Sequence, residues 1–207
     1  MGTNNPYALK LSNGKVTVPN SNSLSPLRQI TIEFWYYINS FANTWMPLIW
    51  KGTGRQYSIW QNSNGLIYVG TKNSVSNTEE TLWNASLANP IPLKTKTHIA
   101  TVINRDTGII KVYKNGVLWN SGLITSGVNI GIVAESLLIG ATNEVNTAYS
   151  PFDGTIDEIR IWNIERTSDQ INANYNKKVG SLTENNLVAY YICDEGTGTI
   201  LNDATIS

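Results

Sequence analysis

Apolar and polar residues alternate along most of the chain in short runs separated by turn residues. In "QITIEFWYYIN", Ile30, Ile32, Phe34 and Tyr36 fall on one side and Thr31, Glu33, Trp35 and Tyr37 on the other. That period of two is the signature of a strand with one face in a core. "YALKLSNGKVTVP" reads as two short strands around an Asn13-Gly14 turn, and "PLIWKG", "QYSIWQNSNGLIYVGT", "ESLLIGA", "GTIDEIRIWN" and "NLVAYYICD" continue the pattern. "HIATVINRDTGIIKVYKNGVLWNSG" predicts two hairpins, turning at Arg105–Gly108 and at Asn115-Gly116. Asn-Gly accepts positive φ at both central turn positions, which makes it a strong hairpin signal. Regular short strands with such turns predict an all-β sandwich or barrel.

One segment departs from this period. In "NIERTSDQINANYNKK", Thr167 and Gln170 form a capping box and Asp169 sits in the first turn, where the helix dipole favours an acid. Ile171 and Tyr175 share a face, and Lys177-Lys178 suit the C-terminal end, so one short helix is expected near residues 168–177. Three connections are long: 39–47, 72–90 and 141–154. The first two each carry a tryptophan that breaks strand periodicity, Trp45 and Trp83. Binding residues concentrate on such loops.

Composition narrows the classes of function. Charged residues make up 14% of the 207 and formal net charge is zero. With no basic stripe for phosphates, nucleic acid is not an expected partner. No apolar run approaches the roughly 18 residues of a membrane span, so no membrane insertion is expected. The N-terminal "MGTNNPYALK" lacks the apolar core of a signal peptide. Asn, Ser and Thr are abundant. They fill turns, and their amides and hydroxyls also suit uncharged ligands such as sugars. The single cysteine, Cys193, allows no intramolecular disulfide and is expected as a buried, inert thiol in "LVAYYIC". A lone histidine, His98, cannot build a zinc site with one cysteine and reads as structural. "GTGR" and "EGTGT" lack the spacing of a phosphate loop and read as turns.

"FDGTIDEIRIWN" places Asp157 and Glu158 side by side, which raises the question of a glycosidase pair. Adjacent strand residues point to opposite faces, whereas a retaining pair needs carboxyls about 5–5.5 Å apart. The alternation instead puts Asp157 with Ile159 and Ile161 on the core face, as a buried anchor accepting backbone N–H bonds from an adjoining turn. It puts Glu158 and Arg160 beside Trp162 on the other face, as an exposed pair contributing roughly 0–1 kcal/mol. No catalytic residue is assigned.

The order of segments resembles the concanavalin A-like lectin/glucanase superfamily, in its laminin G-like and pentraxin-like branch. "YALKLSNGKVTVPNSNSL", "ITIEFWYYIN", "KTHIATVINRDTGIIKVYKNGVLWNSG" and "LLIGATNE" carry the resemblance, and "FDGTIDEIRIWNIERTSDQI" followed by "LVAYYICDEGTGTILNDA" is its most specific part. It implies an antiparallel two-sheet β-sandwich, a jelly roll, with residues 1–207 forming one domain of a larger secreted or cell-surface protein. It also implies a non-catalytic module that binds a glycan or an extracellular protein ligand, often with calcium. A structural or adhesion module without a sugar site is the alternative, and a diverged glycoside hydrolase a remote one. The turn after the first strand reads Ser12-Asn13-Gly14-Lys15-Val16, without the paired acids that relatives carry there. The resemblance points to Asn143, Glu144 and Asp153 as the candidate calcium ligands. For a ligand, Trp45 and Trp83 are the candidate stacking residues, with Asn43, Asn73, Glu79 and Glu80 around them. Asn84-Ala85-Ser86 matches a glycosylation sequon.

Overall fold

The computed structural model describes residues 7–84 and 88–205, so Ala85 and Ser86 of the sequon lie outside the described residues. The elements are β1 (Leu9–Ser12), β2 (Val16–Val18), β3 (Gln29–Ile38), β4 (Trp45–Lys51), β5 (Tyr57–Asn62), β6 (Ile67–Lys72), β7 (Glu79–Leu82), β8 (Thr97–Asn104), β9 (Ile109–Lys114), β10 (Val117–Leu123), β11 (Leu137–Ile139), β12 (Asp153–Trp162), α1 (Ser168–Asn174) and β13 (Leu187–Tyr191). They form two antiparallel sheets. The first runs β1-β12-β3-β8-β9-β10, with β13 also paired to β12; the second runs β2-β11-β4-β5-β6-β7. The expected sandwich is therefore present. Both predicted hairpins, β8–β9 and β9–β10, form, with Asn115 and Gly116 at φ 50° and 78°.

The alternation in β3 holds as read. Ile30, Ile32, Phe34 and Tyr36 enter the core between the sheets, joined by Ile49, Ile59, Val69, Ile99, Ile156, Ile159 and Ile161. Each such side chain contributes about 1.5–3 kcal/mol on leaving water. The strands flanking Asn13-Gly14 separate: β1 pairs with β12 and β2 with β11, so that turn crosses between sheets. Local turn chemistry is the same in both cases; the partner strands settle which occurs.

The helix is shorter than expected and ends at Asn174, with the Thr167 capping box formed on both sides. Lys177 and Lys178 thus lie beyond it. The carbonyl of its last residue meets Arg160 instead, which donates to Asn174 O at 3.3 Å and also to Lys177 O just past the helix. Ile171 packs on Ala100, Val102 and Tyr113, fixing α1 on the outer face of the first sheet. The three long connections also prove partly strand: Trp45 opens β4, 79–82 is β7, and Asp153 opens β12.

The Asp157-Glu158 reading needs correction. Pairing of β12 with β3 shifts register between Asp157 and Arg160, and Glu158 sits at φ 53°. This bulge absorbs one residue. Ile156, Ile159 and Ile161 reach the core, whereas Asp157 lies opposite Trp35 on the outer face. Its carboxylate is 3.6 Å from the Lys96 ammonium, which also sits over the Trp35 ring. Glu158 is not solvated: it is 1% exposed, bonded to Arg160 at 2.9 Å and to the Tyr190 hydroxyl at 2.5 Å. The acids therefore share a side of the sheet and are both enclosed, with Trp162 buried beside them under the Arg166 guanidinium.

Burial pushes the Asp157 carboxyl up to about 6, with Lys96 opposing and Glu158 adding to the rise. A folded-state value above the ordinary one contributes stability below about pH 4 that is lost as pH rises through about 6. Asp157→Asn is therefore expected to raise the melting temperature relative to the parent at pH 7–8 and to leave it unchanged near pH 4. A destabilised variant at pH 8 would show instead that the ionised carboxylate holds the bulge. His98 is buried as expected, and desolvation, aided by the Arg160 charge, lowers its imidazole to about 3. Cys193 is buried, and desolvation pushes its thiol up.

Candidate ligand-binding site

On the outer face of the second sheet, alternation in β5 and β6 sends Tyr57, Ile59, Ile67 and Val69 inward. Trp60 and Tyr68, directly paired across the two strands, point the other way. Trp45 enters from the start of β4, and Tyr149 is held beside it by Trp45 N–H to Ala148 O and Ser150 N–H to Trp45 O, at 2.8 and 2.6 Å. Asn43 secures the same junction by donating to Tyr149 O at 3.0 Å. Trp45, Trp60, Tyr68, Tyr149 and Arg55 line a cavity of about 220 Å³. The rings pack edge-on or tilted: Trp45 to Tyr68 at 5.8 Å, Trp60 to Tyr149 at 4.7 Å, and Trp45 to Trp83 at 4.9 Å. Trp83 thus belongs to the rim. The Trp60 indole N–H is buried with no acceptor among the described residues.

Arg55 is the organising side chain. It leaves the β4–β5 turn at φ 52°, directly after Gly54, which like Gly52 is at positive φ. Its guanidinium lies 4.8 Å from the Trp60 ring and 5.6 Å from that of Tyr68, close enough for cation–π attraction. Nε and one terminal nitrogen grip both Glu144 oxygens at 2.9 and 2.6 Å, the bidentate arrangement that favours arginine. That second nitrogen also donates to Tyr149 at 2.9 Å, and the other donates to Tyr68 at 3.2 Å and to Glu79 at 3.4 Å. Trp50 Nε1 and the Tyr149 hydroxyl donate to Glu144 as well.

These contacts set the acids apart. Burial alone would raise Glu144, but the bonds from Arg55, Trp50 and Tyr149 outweigh it and hold the carboxyl below its usual range. For Glu79 burial prevails over the Arg55 charge, and proximity to Glu144 adds to the rise. Space for the Glu79 carboxylate depends on Gly70, where a Cβ would overlap it.

The structure gathers Trp45, Trp83, Glu79 and Glu144 from the sequence candidates, with Asn43 supporting from below. Glu80 and Asn73 lie elsewhere. One residue along β7, Glu80 points to the opposite face, pairs with Arg105 and Thr125, and accepts from Asn73 Nδ2 at 3.0 Å. Sequence reasoning missed Arg55, Trp60, Tyr68 and Tyr149. Trp60 and Tyr68 were visible as outward positions of alternating strands, but "GTGR" reads only as a turn.

The calcium set does not fit. Glu144 is committed to Arg55, while both Asp153 oxygens accept from Asn39 and Ser40 at 3.0 and 2.7 Å. Among the described residues no group of three or more His, Cys, Asp and Glu converges as a metal site. A larger cleft of about 980 Å³ lies between β1, β2 and residues 195–201. It is lined by the β1 and β2 edges and a Gly-Thr turn, with Tyr7 and Tyr191 and the charged Lys10, Lys15, Glu195 and Asp203, and among the described residues no tryptophan faces it. The smaller cavity has the chemistry of a ligand site.

Two facing antiparallel sheets with one short helix define a jelly-roll domain. The family model of the concanavalin A-like lectin/glucanases superfamily, laminin G type 3, matches residues 11–172, and the chain belongs to that family. No curated protein sequence matches it. Among solved structures, a candidate carbohydrate-binding protein of Bacteroides ovatus superposes with a TM-score of 0.73 at 18% identity, over 96% of this chain and 55% of that one. This chain thus spans about half the length of that relative. The Ruminococcus gnavus IT-sialidase CBM40, solved with α2,3-sialyllactose, gives 0.62 at 17% identity, covering 81% and 95%. A structure of botulinum neurotoxin type C, whose cell entry depends on interaction with two ganglioside molecules, gives 0.61 at 20%, covering 79% and 39%. No helix among the described residues is long and apolar enough to cross a membrane.

Proposed function

We propose that this domain is a non-catalytic carbohydrate-binding module of an extracellular or cell-surface protein, and that the pocket around Arg55 is its sugar site. The observation that carries the reading is the convergence of Trp45, Trp60, Tyr68 and Tyr149 on one small cavity with fixed polar groups at its base. Aromatic faces take the apolar side of a sugar ring, while the phenol oxygens of Tyr68 and Tyr149 hydrogen-bond its hydroxyls. The structural neighbours named above support this, since sugars or carbohydrate binding figure in their descriptions. The enclosure of Asp157 and Glu158 supports a binding role over hydrolysis, because neither carboxylate is open to a substrate. Affinity for one ring is expected to be weak and raised by multivalency.

A glycan array read with and without a chelator tests the proposal. Binding is expected in both conditions, and Trp45→Ala is expected to weaken it about 10- to 100-fold, or roughly 1.4–2.8 kcal/mol. Binding to no glycan, or binding indifferent to Trp45→Ala, would remove the sugar reading. A second reading has its own observation. Edge strand β10 exposes Val117, Leu118 and Leu123, which suits an adhesion or protein-interaction surface without a sugar site.

A further inference from the structure

We infer that the Arg55 pocket takes an uncharged sugar ring and discriminates against carboxylated sugars, a conclusion that rests on the sugar-binding reading above. An arginine in an aromatic pocket invites the opposite expectation, because a free guanidinium is the usual partner for a carboxylate. Here the guanidinium is not free. Nε is bonded to Glu144 Oε1, one terminal nitrogen to Glu144 Oε2 and Tyr149, and the other to Tyr68 and Glu79. Every direction of the fork already has an acceptor from the protein. A ligand carboxylate would have to displace Glu144 from a bidentate pair that Trp50 and Tyr149 also support.

The local charge points the same way. Two acids, Glu79 and Glu144, flank one cation, and among the described residues no second basic side chain lines the cavity. Lys72 stands near Gly54 at the side of the turn but is not part of the wall. An incoming anion therefore meets a neutralised cation and two carboxylates in partly desolvated surroundings, where repulsion is weakly screened. An uncharged ring meets something different. The pocket offers it the rings of Trp45, Tyr68 and Tyr149 and the phenol oxygens of the two tyrosines. A volume of about 220 Å³ suits one ring rather than a long polysaccharide chain. Arg55 acts here as the internal strut that spaces Trp60, Tyr68 and the two acids, and so as a positioning residue for a neutral site.

Matched pairs differing in a carboxylate test the inference: glucose and glucuronic acid, and galactose and galacturonic acid, presented multivalently on one array and titrated by calorimetry. The neutral member of a bound pair is expected to bind at least tenfold tighter, with the gap widening at low ionic strength. In Glu79→Gln, which removes one flanking charge, the gap is expected to narrow. Acidic members binding as tightly as neutral ones, or tighter, would overturn the inference while leaving the sugar-binding reading intact, since that reading stands or falls on the weakening by Trp45→Ala. Binding of neither member in any pair would overturn both.

Discussion

Arg160→Met is expected to destabilise the domain by about 3–5 kcal/mol, the largest effect of any single substitution outside the apolar core. The side chain is 2% exposed and its terminal nitrogen is 2.9 Å from Glu158, which is itself buried. Removing the cation leaves Glu158 with the Tyr190 hydroxyl as its remaining hydrogen-bond donor, an uncompensated charge beneath the sheet's outer layer. Two carbonyls, Asn174 O at the end of α1 and Lys177 O just beyond it, lose this donor in the same step. The helix has no basic residue in its own last turn, so β12 supplies the positive charge that the dipole favours there. In a domain of this size the cost corresponds to a fall in melting temperature of roughly 10 °C. The double variant Glu158→Gln/Arg160→Met is expected to recover at least ~1 kcal/mol, because the orphaned charge is then gone. A single variant as stable as the parent in urea unfolding would show that the pair is dispensable.

Arg55→Met is expected to cost about 2–4 kcal/mol at pH 7 and to abolish glycan binding on the array. Its side chain is more accessible than that of Arg160, which tempers the energetic effect. Without it, Glu144 loses two of its donors, and Glu79 and Glu144 face each other with no cation between them. The rings of Trp60 and Tyr68 lose the guanidinium that lies over both, so the cavity is expected to collapse. The stability deficit should shrink as pH falls toward about 4, because protonating the two carboxyls removes their repulsion. Arg55→Lys keeps the charge but not the fork, and should restore part of the stability without restoring binding. Unfolding curves at both pH values, together with array binding, separate the two roles. Binding retained in a folded Arg55→Met variant would place the sugar site elsewhere.

The two arginines illustrate why parts of this protein were legible in its sequence and others were not. "ITIEFW" announces its buried face because period two is a local property of the chain. Asn115-Gly116 announces a hairpin because φ preference belongs to the residues themselves, and Thr167 and Gln170 cap a helix for a similar local reason. "TIDEIRIW" misleads because a bulge changes which residues share a face. A bulge is stabilised by the strands on either side, here β3 and β13, and has no reliable mark in the strand that carries it. Trp45 and Trp83 were recognisable as unusual loop aromatics. Glu79 and Glu80 were indistinguishable until β7 was seen to be a strand, which sends one to the pocket and the other to Arg105.

By itself the sequence determined the class: a weakly charged, strand-dominated chain with the segment order of a lectin-like jelly roll and one capped helix. Tertiary structure alone decided which residues meet in the candidate pocket. Its walls come from β4, β5, β6 and two loops, and its centre is an arginine from a glycine-rich turn whose partners lie 24 and 89 residues away. Periodicity and turn propensity act over a few neighbouring residues and so can be read along the chain. Charge pairing and ring packing act through space, and which residues meet is fixed only when the sheets have closed on their core.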